Sequence, residues 1–156
     1  MLPKTVSENA SILSEVMMPV HANHYGNIHG GTILKLVDEA AFVAATKHAR
    51  KNVVVASIDC MEFKHPVEVG DVLTLRASVY HVGRSSMDVE VEIVTEKIKQ
   101  GKTLKVGQAY LTMVALDEKG RPAEVPPLIL KTKEEKNKSA FIKRKRQERI
   151  AHFYGG

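Results

Sequence analysis

Cysteine, tryptophan and long apolar runs are scarce in this sequence, and each scarcity excludes a class of protein. The single cysteine, Cys60, cannot form a disulfide within the chain and argues against zinc or iron–sulfur sites built from cysteine. Without tryptophan, few surfaces remain on which nucleic-acid bases could stack. Residues 1–16 contain no apolar segment typical of a signal peptide, and no run approaches the ~20 apolar residues of a membrane span. We therefore expect a cytoplasmic protein with no membrane partner.

The excess positive charge lies at one end of the chain. Lysine and arginine number 23 against 18 aspartate and glutamate residues, a net charge of +5. Nine of the basic residues and three of the acids fall in residues 131–156, so residues 1–130 are close to neutral. We predict one globular domain over residues 1–130 and a basic C-terminal helical tail over residues 131–156. The near-neutral body argues against nucleic acid as a partner.

One long helix is predicted in the first third of the chain. A strand is expected over residues 11–20, then a loop over residues 21–31 with three glycines and three histidines. Thr32 opens a helix whose apolar residues recur at helical spacing: Ile33, Leu36, Val37, Ala40 and Ala44. Because residues 40–45 are all apolar, we expect this helix to be largely enclosed.

The second half of the sequence has the period of β-strands. Residues 53–63, 73–80, 87–93 and 103–116 predict a meander of antiparallel strands with polar outer faces, and residues 132–152 predict a mostly polar helix. The fold class is therefore α+β, with one strand, one long helix and four further strands. Such a sheet has open edges, which favours self-association.

Common catalytic and metal-binding motifs are missing. The sequence contains no G-x-S-x-G, no G-x-x-x-x-G-K-[ST] and no H-E-x-x-H. His21 and His24 form an H-x-x-H pair without further ligands, so we predict no metal site. Cys60 lies in an apolar strand pattern, where a small buried side chain is expected rather than a nucleophile.

The segment His29-Gly30-Gly31-Thr32 connects the loop to the helix. Paired glycines let a backbone approach a ligand closely, and free N–H groups in a first helical turn favour an anion or a developing oxyanion. A plain glycine turn capped by Thr32 explains the same residues. The pattern alone leaves both interpretations open.

Asp38 is the second candidate. Its helical neighbours Leu34, Ala41 and Phe42 are apolar. A carboxylate in such poorly hydrated surroundings is suited to act as a general base. The alternative is an exposed acid near a helix N-terminus, a description that fits Glu39 better.

Three blocks of sequence resemble one known family. The first is residues 23–41, NHYGNIHGGTILKLVDEAA, which resembles the core motif of hotdog-fold acyl-CoA thioesterases in the branch of cytosolic acyl-CoA hydrolases. The second and third are Asp59-x-x-x-Phe63-x-x-Pro66-Val67-x-x-Gly70-Asp71 and Val82-Gly83-Arg84-Ser85-Ser86. The resemblance covers about residues 10–128.

The resemblance implies a fold and an assembly. In this family a curved antiparallel sheet wraps the long helix, and two protomers join edge to edge into one continuous sheet. The active sites lie at that dimer interface. The resemblance also suggests a homohexamer, as a trimer of dimers.

The resemblance also implies roles for individual residues. Asp38 would be the general base or nucleophile, and Asn23 of the neighbouring subunit would position the water or the carbonyl group. The Gly31 N–H would polarise the thioester oxygen, with His29 and Gly30 nearby. Substrate contacts would come from a nucleotide-side loop, Gly83, Arg84, Ser85 and Ser86. No metal and no cofactor are needed, because CoA is part of the substrate.

Several alternatives stay open. A protein of this fold could hold acyl-CoA or a fatty acid as a sensor without hydrolysing it, although Asn23 and Asp38 argue against that. A dehydratase of the same fold is weaker, because its His/Asp pattern is absent. The tail could contact a CoA phosphate, bind nucleic acid, or be a solvated helix that packs weakly. The sequence does not determine the acyl group or any nucleotide regulation.

Overall fold

One long helix, α1 (Gly30–Ala49), packs across a five-stranded antiparallel sheet and contacts all five strands. The structure, a computed structural model, describes residues 1–59 and 62–154, so the prediction for Cys60 lies outside it. The strands are β1 (Lys4–Thr5), β2 (Ser11–Val16), β3 (Asn52–Asp59), β4 (Val72–Val82), β5 (Ser86–Lys97), β6 (Lys102–Leu116) and β7 (Leu128–Ile129). A second helix, α2 (Lys133–Tyr154), follows them. This is the α+β hotdog architecture, which confirms the predicted fold class.

The order of strands corrects the predicted meander. The sheet runs β2-β4-β5-β6-β3, so only β4, β5 and β6 form a meander. Strand β3 pairs with β6, the last strand of the sheet in sequence, and lies at the opposite edge from β2. The short strands β1 and β7, which the sequence did not predict, form a separate parallel pair.

Two element boundaries also differ from the prediction. Strand β2 ends at Val16 rather than residue 20, because Pro19 opens a short 3₁₀ turn. Helix α1 begins at Gly30 rather than Thr32, with His29 as its N-cap. At its other end Arg50 adopts a left-handed conformation, and its N–H caps the Thr46 carbonyl.

Helix α1 is enclosed on only one side in a single chain. Its apolar residues Val37, Ala41, Ala44 and Ala45 are completely buried against the sheet. Leu34, Phe42 and Val43 are instead 38–46% exposed, so the expectation of an enclosed helix is wrong for an isolated protomer.

Helix α2 packs against the outer face of the sheet, and the interpretation of the tail as a weakly packed, solvated helix is wrong. Ile142 is 3% exposed, and Lys138 donates to the Glu90 carboxylate at 3.1 Å. Arg146 lies 3.1 Å from Asp88. Asp88 and Glu90 thus form part of the predicted polar outer face, and α2 covers both of them.

Candidate active site

The first turn of α1 leaves two backbone donors free. The carbonyl of the N-cap His29 accepts the N–H groups of Thr32 (3.0 Å) and Ile33 (3.3 Å), and no side chain caps the helix. Among the described residues, nothing accepts a hydrogen bond from Gly30 or Gly31. A Cβ atom on Gly31 would meet no atom within 4 Å, so the space beside it is open. Thr32 lies inside the helix, and the alternative that it caps the turn is wrong.

Asp38 lies on the same side of α1 as Gly31. Seven residues separate them, which is about two helical turns, or roughly 10 Å along the axis, and helical side chains tilt toward the N-terminus. Asp38 is half-buried between the fully buried Ala41 and the exposed side chains of Leu34 and Phe42. Within residues 1–59 and 62–154 its carboxylate makes no hydrogen bond or ion pair. The carboxylate is therefore available to a ligand.

Asn23 begins a tight loop that ends at Asn27. Its side-chain Oδ1 accepts the N–H groups of Tyr25 (2.9 Å) and Asn27 (3.2 Å), and its own N–H donates to the Asn27 carbonyl at 2.7 Å. Because Oδ1 is used by the loop, the Nδ2 group is the part of this side chain left to donate to a ligand. No hydrogen bond between described residues joins Asn23 to Asp38 in the single chain.

The loop that carries Asn23 is fastened to the turn between residues 67 and 71. Ile28 donates its N–H to the Val67 carbonyl at 2.8 Å, and Asn27 forms a β-bridge with Glu68. His29 donates its N–H to the His21 carbonyl at 2.9 Å, which closes the other side of the loop.

The carboxylate of Asp71 fixes the turn between residues 67 and 71 through hydrogen bonds. Its buried carboxylate accepts from the Glu68 N–H (3.0 Å), the Thr95 hydroxyl (3.2 Å) and the Lys97 ammonium (2.8 Å). Burial alone would raise the pKa of Asp71, but these hydrogen bonds outweigh it and hold the pKa below its usual value. A series of hydrogen bonds therefore connects Asp71, through Glu68 and Asn27, to Asn23. The sequence pattern assigned no role to Asp71, although the Gly70-Asp71 pair belongs to the second block of resemblance.

The Gly83–Ser86 loop is the hairpin between β4 and β5. Gly83 donates its N–H to the Ser86 carbonyl at 2.9 Å, and a Cβ on Gly83 would lie 2.7 Å from the Ser86 hydroxyl. The Ser86 side chain is buried and accepts from Arg146 at 3.0 Å, while Arg84 pairs with Glu124 at 3.3 Å on the surface. The carbonyl of Ser85 accepts the N–H of Ala115 (2.9 Å).

The structure thus groups some predicted residues and separates others. Gly30, Gly31 and Asp38 share the N-terminal half of α1, with His29 at its exposed start. No hydrogen bond or ion pair between described residues connects the Gly83–Ser86 loop to this group.

Metal-ligating side chains are dispersed over the molecule. No cluster of three such side chains occurs in the described part of the chain. His21 of the H-x-x-H pair instead accepts the Met18 N–H at Nδ1 (2.9 Å). None of the helices within residues 1–59 and 62–154 is apolar and long enough to cross a membrane.

Comparison with known proteins identifies relatives over most of the chain. The family described as the thioesterase superfamily matches residues 25–102. The chain is 32% identical over 138 residues to a cytosolic acyl coenzyme A thioester hydrolase of Rattus norvegicus, covering 87% of this chain and 36% of that protein.

Solved structures match nearly the whole chain. An acyl-CoA hydrolase of Staphylococcus aureus, in complex with butyryl coenzyme A, coenzyme A and coenzyme A disulfide, is 34% identical, with a TM-score of 0.88 over 96% of this chain and 91% of that one. An apo-hexameric acyl-CoA thioesterase is 38% identical, with a TM-score of 0.89 over 97% of this chain and 99% of that one. The S. aureus enzyme has also been solved with an asparagine and, separately, an aspartate replaced by alanine. These two positions are 15 residues apart, as are Asn23 and Asp38.

Proposed function

This chain belongs to the thioesterase superfamily, and we propose that it hydrolyses acyl-CoA thioesters to a free carboxylic acid and CoA. One observation carries the proposal. The Asp38 carboxylate, without a partner among the described residues, lies on the same side of α1 as the free N–H of Gly31. A carboxylate and an oxyanion donor along one open face are the parts that thioester hydrolysis requires.

The proposed chemistry uses these two groups directly. A water oxygen bonds to the thioester carbonyl carbon while Asp38 takes a proton from that water. The Gly31 N–H donates to the oxygen that becomes negatively charged. The carbon–sulfur bond then breaks, and sulfur leaves with the electron pair as the CoA thiolate. A thiolate is a good leaving group, so the reaction needs no strong general acid.

A second route begins with attack by Asp38 itself. Its carboxylate oxygen bonds to the carbonyl carbon, expels the thiolate and leaves a mixed anhydride, which water then hydrolyses. Single turnover in ¹⁸O-labelled water distinguishes the two routes. Only the anhydride route can transfer label into the Asp38 side chain.

We further propose that Asn23 acts in the site of the neighbouring subunit. Its Nδ2 group would donate to the attacking water or to the carbonyl oxygen. The equal 15-residue spacing of the variant positions in the S. aureus enzyme supports pairing Asn23 with Asp38. His29 and Gly30 would line the approach to the thioester.

The minimal active unit is proposed to be a homodimer. Strand β3 is an edge strand, and its apolar side chains Val54 and Val55 are 41–47% exposed. Leu34 and Phe42 add apolar surface around Asp38. Pairing two β3 strands would satisfy the open edge and cover this surface. The proposed full assembly is a hexamer built as a trimer of dimers, which the hexameric relative supports. Light scattering would measure the mass of the assembly in solution.

Other properties of the proposed enzyme follow from the same reaction. Hydrolysis requires no cofactor, and CoA enters only as part of the substrate. Residues 1–130 would form the catalytic domain and residues 131–156 the helical tail. The Gly83–Ser86 loop would contact the substrate, and similarity to the cytosolic rat enzyme supports a cytoplasmic location.

A thiol-release assay with purified protein and acyl-CoA tests the proposal. Stoichiometric excess of released CoA over enzyme supports hydrolysis. Tight binding of acyl-CoA without release would instead favour a sensor of the same fold.

A further inference from the structure

The loop that carries Asn23 presents two stacked rings at its tip. The rings of His24 and Tyr25 lie with their centroids 4.0 Å apart and their planes tilted by 40°. Tyr25 is 79% exposed, and His24 is exposed as well. Single exposed side chains are common on protein surfaces, so the informative feature is the position of this pair relative to Asn23.

Hydrogen bonds fix the position of Tyr25 relative to the Asn23 amide group. The Tyr25 N–H donates to the Asn23 Oδ1 at 2.9 Å, and the Gly26 N–H donates to the Asn23 carbonyl at 3.1 Å. Gly26 has a φ of +88°, a conformation that glycine adopts without strain. Residues 23–26 thus form a turn whose end residues lie within about 7 Å of each other. Wherever the Asn23 side chain is placed, the Tyr25 ring is carried with it.

The proposed dimer brings this turn to the apolar surface of α1. In that dimer Asn23 acts beside Asp38 of the partner subunit. Leu34 and Phe42 lie one helical turn on either side of Asp38 and are 38% and 46% exposed in the single chain. Apolar side chains on α1 and the ring that accompanies Asn23 therefore approach the same carboxylate from two subunits.

The acyl chain is the part of the substrate that gains most from such an apolar wall. Its carbonyl carbon reacts between Asp38 and the Gly31 N–H in the proposed reaction, so the carbons next to it lie beside these apolar side chains. Each CH₂ group removed from water contributes about 4-fold to affinity. The pantetheine arm, on the other side of the sulfur, carries amide groups that lose hydrogen bonds to water when they are buried.

We propose that Tyr25, supported by the stacked His24 ring, covers the first carbons of the acyl chain in the active site of the partner subunit. The proposal rests on the proposed function and on the proposed dimer. Tyr25 is a specificity-determining residue for the reaction, because its ring stabilises acyl groups long enough to reach it and contributes nothing to an acetyl group.

Binding of S-alkyl-CoA thioethers tests the proposal without turnover, because a thioether has no carbonyl group to hydrolyse. Calorimetry with ethyl to octyl chains measures the affinity gained with each added carbon. Tyr25→Ala should bind the ethyl thioether as the wild type does and lose about 2- to 4-fold in affinity for each further carbon that the ring covers. Tyr25→Phe keeps the ring and should match the wild type.

Val20→Ala is the matched control, since Val20 is 83% exposed and lies just before the turn. It should leave the affinity for every thioether unchanged. An equal loss at every length in Tyr25→Ala, or no loss at any length, would overturn the proposal and leave the proposed hydrolysis untouched. A wild type that shows the expected chain-length pattern but releases no CoA from acyl-CoA would refute the hydrolysis alone.

Mixed dimers test whether the ring acts on the partner subunit. Asp38→Asn in excess draws most Tyr25→Ala chains into mixed dimers, in which the one site with an intact Asp38 receives its Tyr25 from the Asp38→Asn chain. The preference among acyl-CoA lengths, measured as kcat/KM, should therefore return to that of the wild type. A preference that stays that of Tyr25→Ala would show that the ring acts within its own subunit, which contradicts the proposal.

Discussion

The backbone N–H of Asn27 lies 3.2 Å from Oδ1 of Asn23, and this contact determines what the Asn23 side chain can do. The same oxygen accepts the Tyr25 N–H at 2.9 Å. An oxygen with two backbone donors is occupied, so the loop presents the Nδ2 group. In the proposed site Asn23 therefore acts as a hydrogen-bond donor.

Two replacements of Asn23 distinguish its role in holding the loop from its proposed role in catalysis. Asn23→Asp keeps an oxygen for the loop N–H groups but removes the Nδ2 donor, so we expect normal folding with turnover reduced about 10²-fold or more. Asn23→Ala removes both, so its activity should fall as far and its thermal stability should fall as well. Near-normal thiol release by Asn23→Asp would contradict the donor role.

Asp71→Asn should impair the Asn23 loop from a distance. The change weakens the hydrogen bonds that connect Asp71 to Glu68 and so to the loop, and we expect activity to fall about 10- to 100-fold, as for a small misplacement of a catalytic group. Mixed dimers identify which half of the site is affected. Asp71→Asn mixed with Asp38→Asn should recover partial activity, because one site then combines an intact loop with an intact Asp38.

The matched mixture is Asp71→Asn with Asn23→Ala, which should recover nothing, because both variants damage the same half of the site. A general loss of stability in Asp71→Asn would not restore activity in one mixture and leave the other mixture inactive. Recovery in this second mixture would rule out Asp71 as a positioning residue for Asn23.

His48 should make stability depend on pH. It is fully buried, accepts from the Asn9 side chain at Nδ1 (2.7 Å) and donates from Nε2 to the Pro126 carbonyl (2.7 Å). Burial lowers its pKa below the ordinary histidine value of 6.5, although the hydrogen bond to Pro126 opposes the shift. The folded state therefore binds fewer protons than the unfolded state. The His48 contribution to stability is full above pH 6.5 and is lost as pH falls toward the folded pKa.

Urea unfolding between pH 8 and pH 5 measures this effect. The wild type should lose unfolding free energy over the acid half of that range, and His48→Gln should lose less. Parallel curves for the two proteins would exclude His48 as the cause. Asp71 and Asp88, whose pKa values are lowered, stabilise the fold fully above their ordinary value of 3.8 and lose that contribution only in more acidic solution, so they do not change stability between pH 8 and pH 5.

Arg146 should stabilise the fold through Asp88. The Asp88 carboxylate is 3% exposed and also accepts from His81 (2.8 Å) and Thr112 (2.7 Å). Removing one partner of a buried charge is costly, so Arg146→Ala should reduce the unfolding free energy by about 1–3 kcal/mol. Arg144→Ala, exposed on the same helix, should change it by about 0.5 kcal/mol or less. Equal effects of the two changes would show that α2 is not held by this ion pair.

Local sequence patterns predicted the long helix but not the order of the strands. The helical spacing of Ile33, Leu36 and Val37 depends only on local chemistry, and it predicted α1 to within two residues. The position of β3 beside β6 depends on pairing between distant strands, which an alternating pattern does not encode. The pairing of the outer-face acids Asp88 and Glu90 with α2 could not be predicted from local patterns, because their partners Arg146 and Lys138 lie 58 and 48 residues further along the chain.

Only the part of the candidate site that depends on local sequence could be predicted. Gly31 and Asp38 are on one helix, so their common side follows from helical geometry. The role of Asp71 depends on Glu68, Thr95 and Lys97, which folding brings together from separate elements.

The central claim is that Asp38 carries out thioester hydrolysis, and CoA release from a series of acyl-CoA chain lengths tests it most directly. The wild type should hydrolyse at least one length, whereas Asp38→Asn should lose turnover at every length and keep the wild-type oligomeric state and thermal stability. Near-normal turnover by Asp38→Asn, or no CoA release by the wild type at any length, would contradict the account.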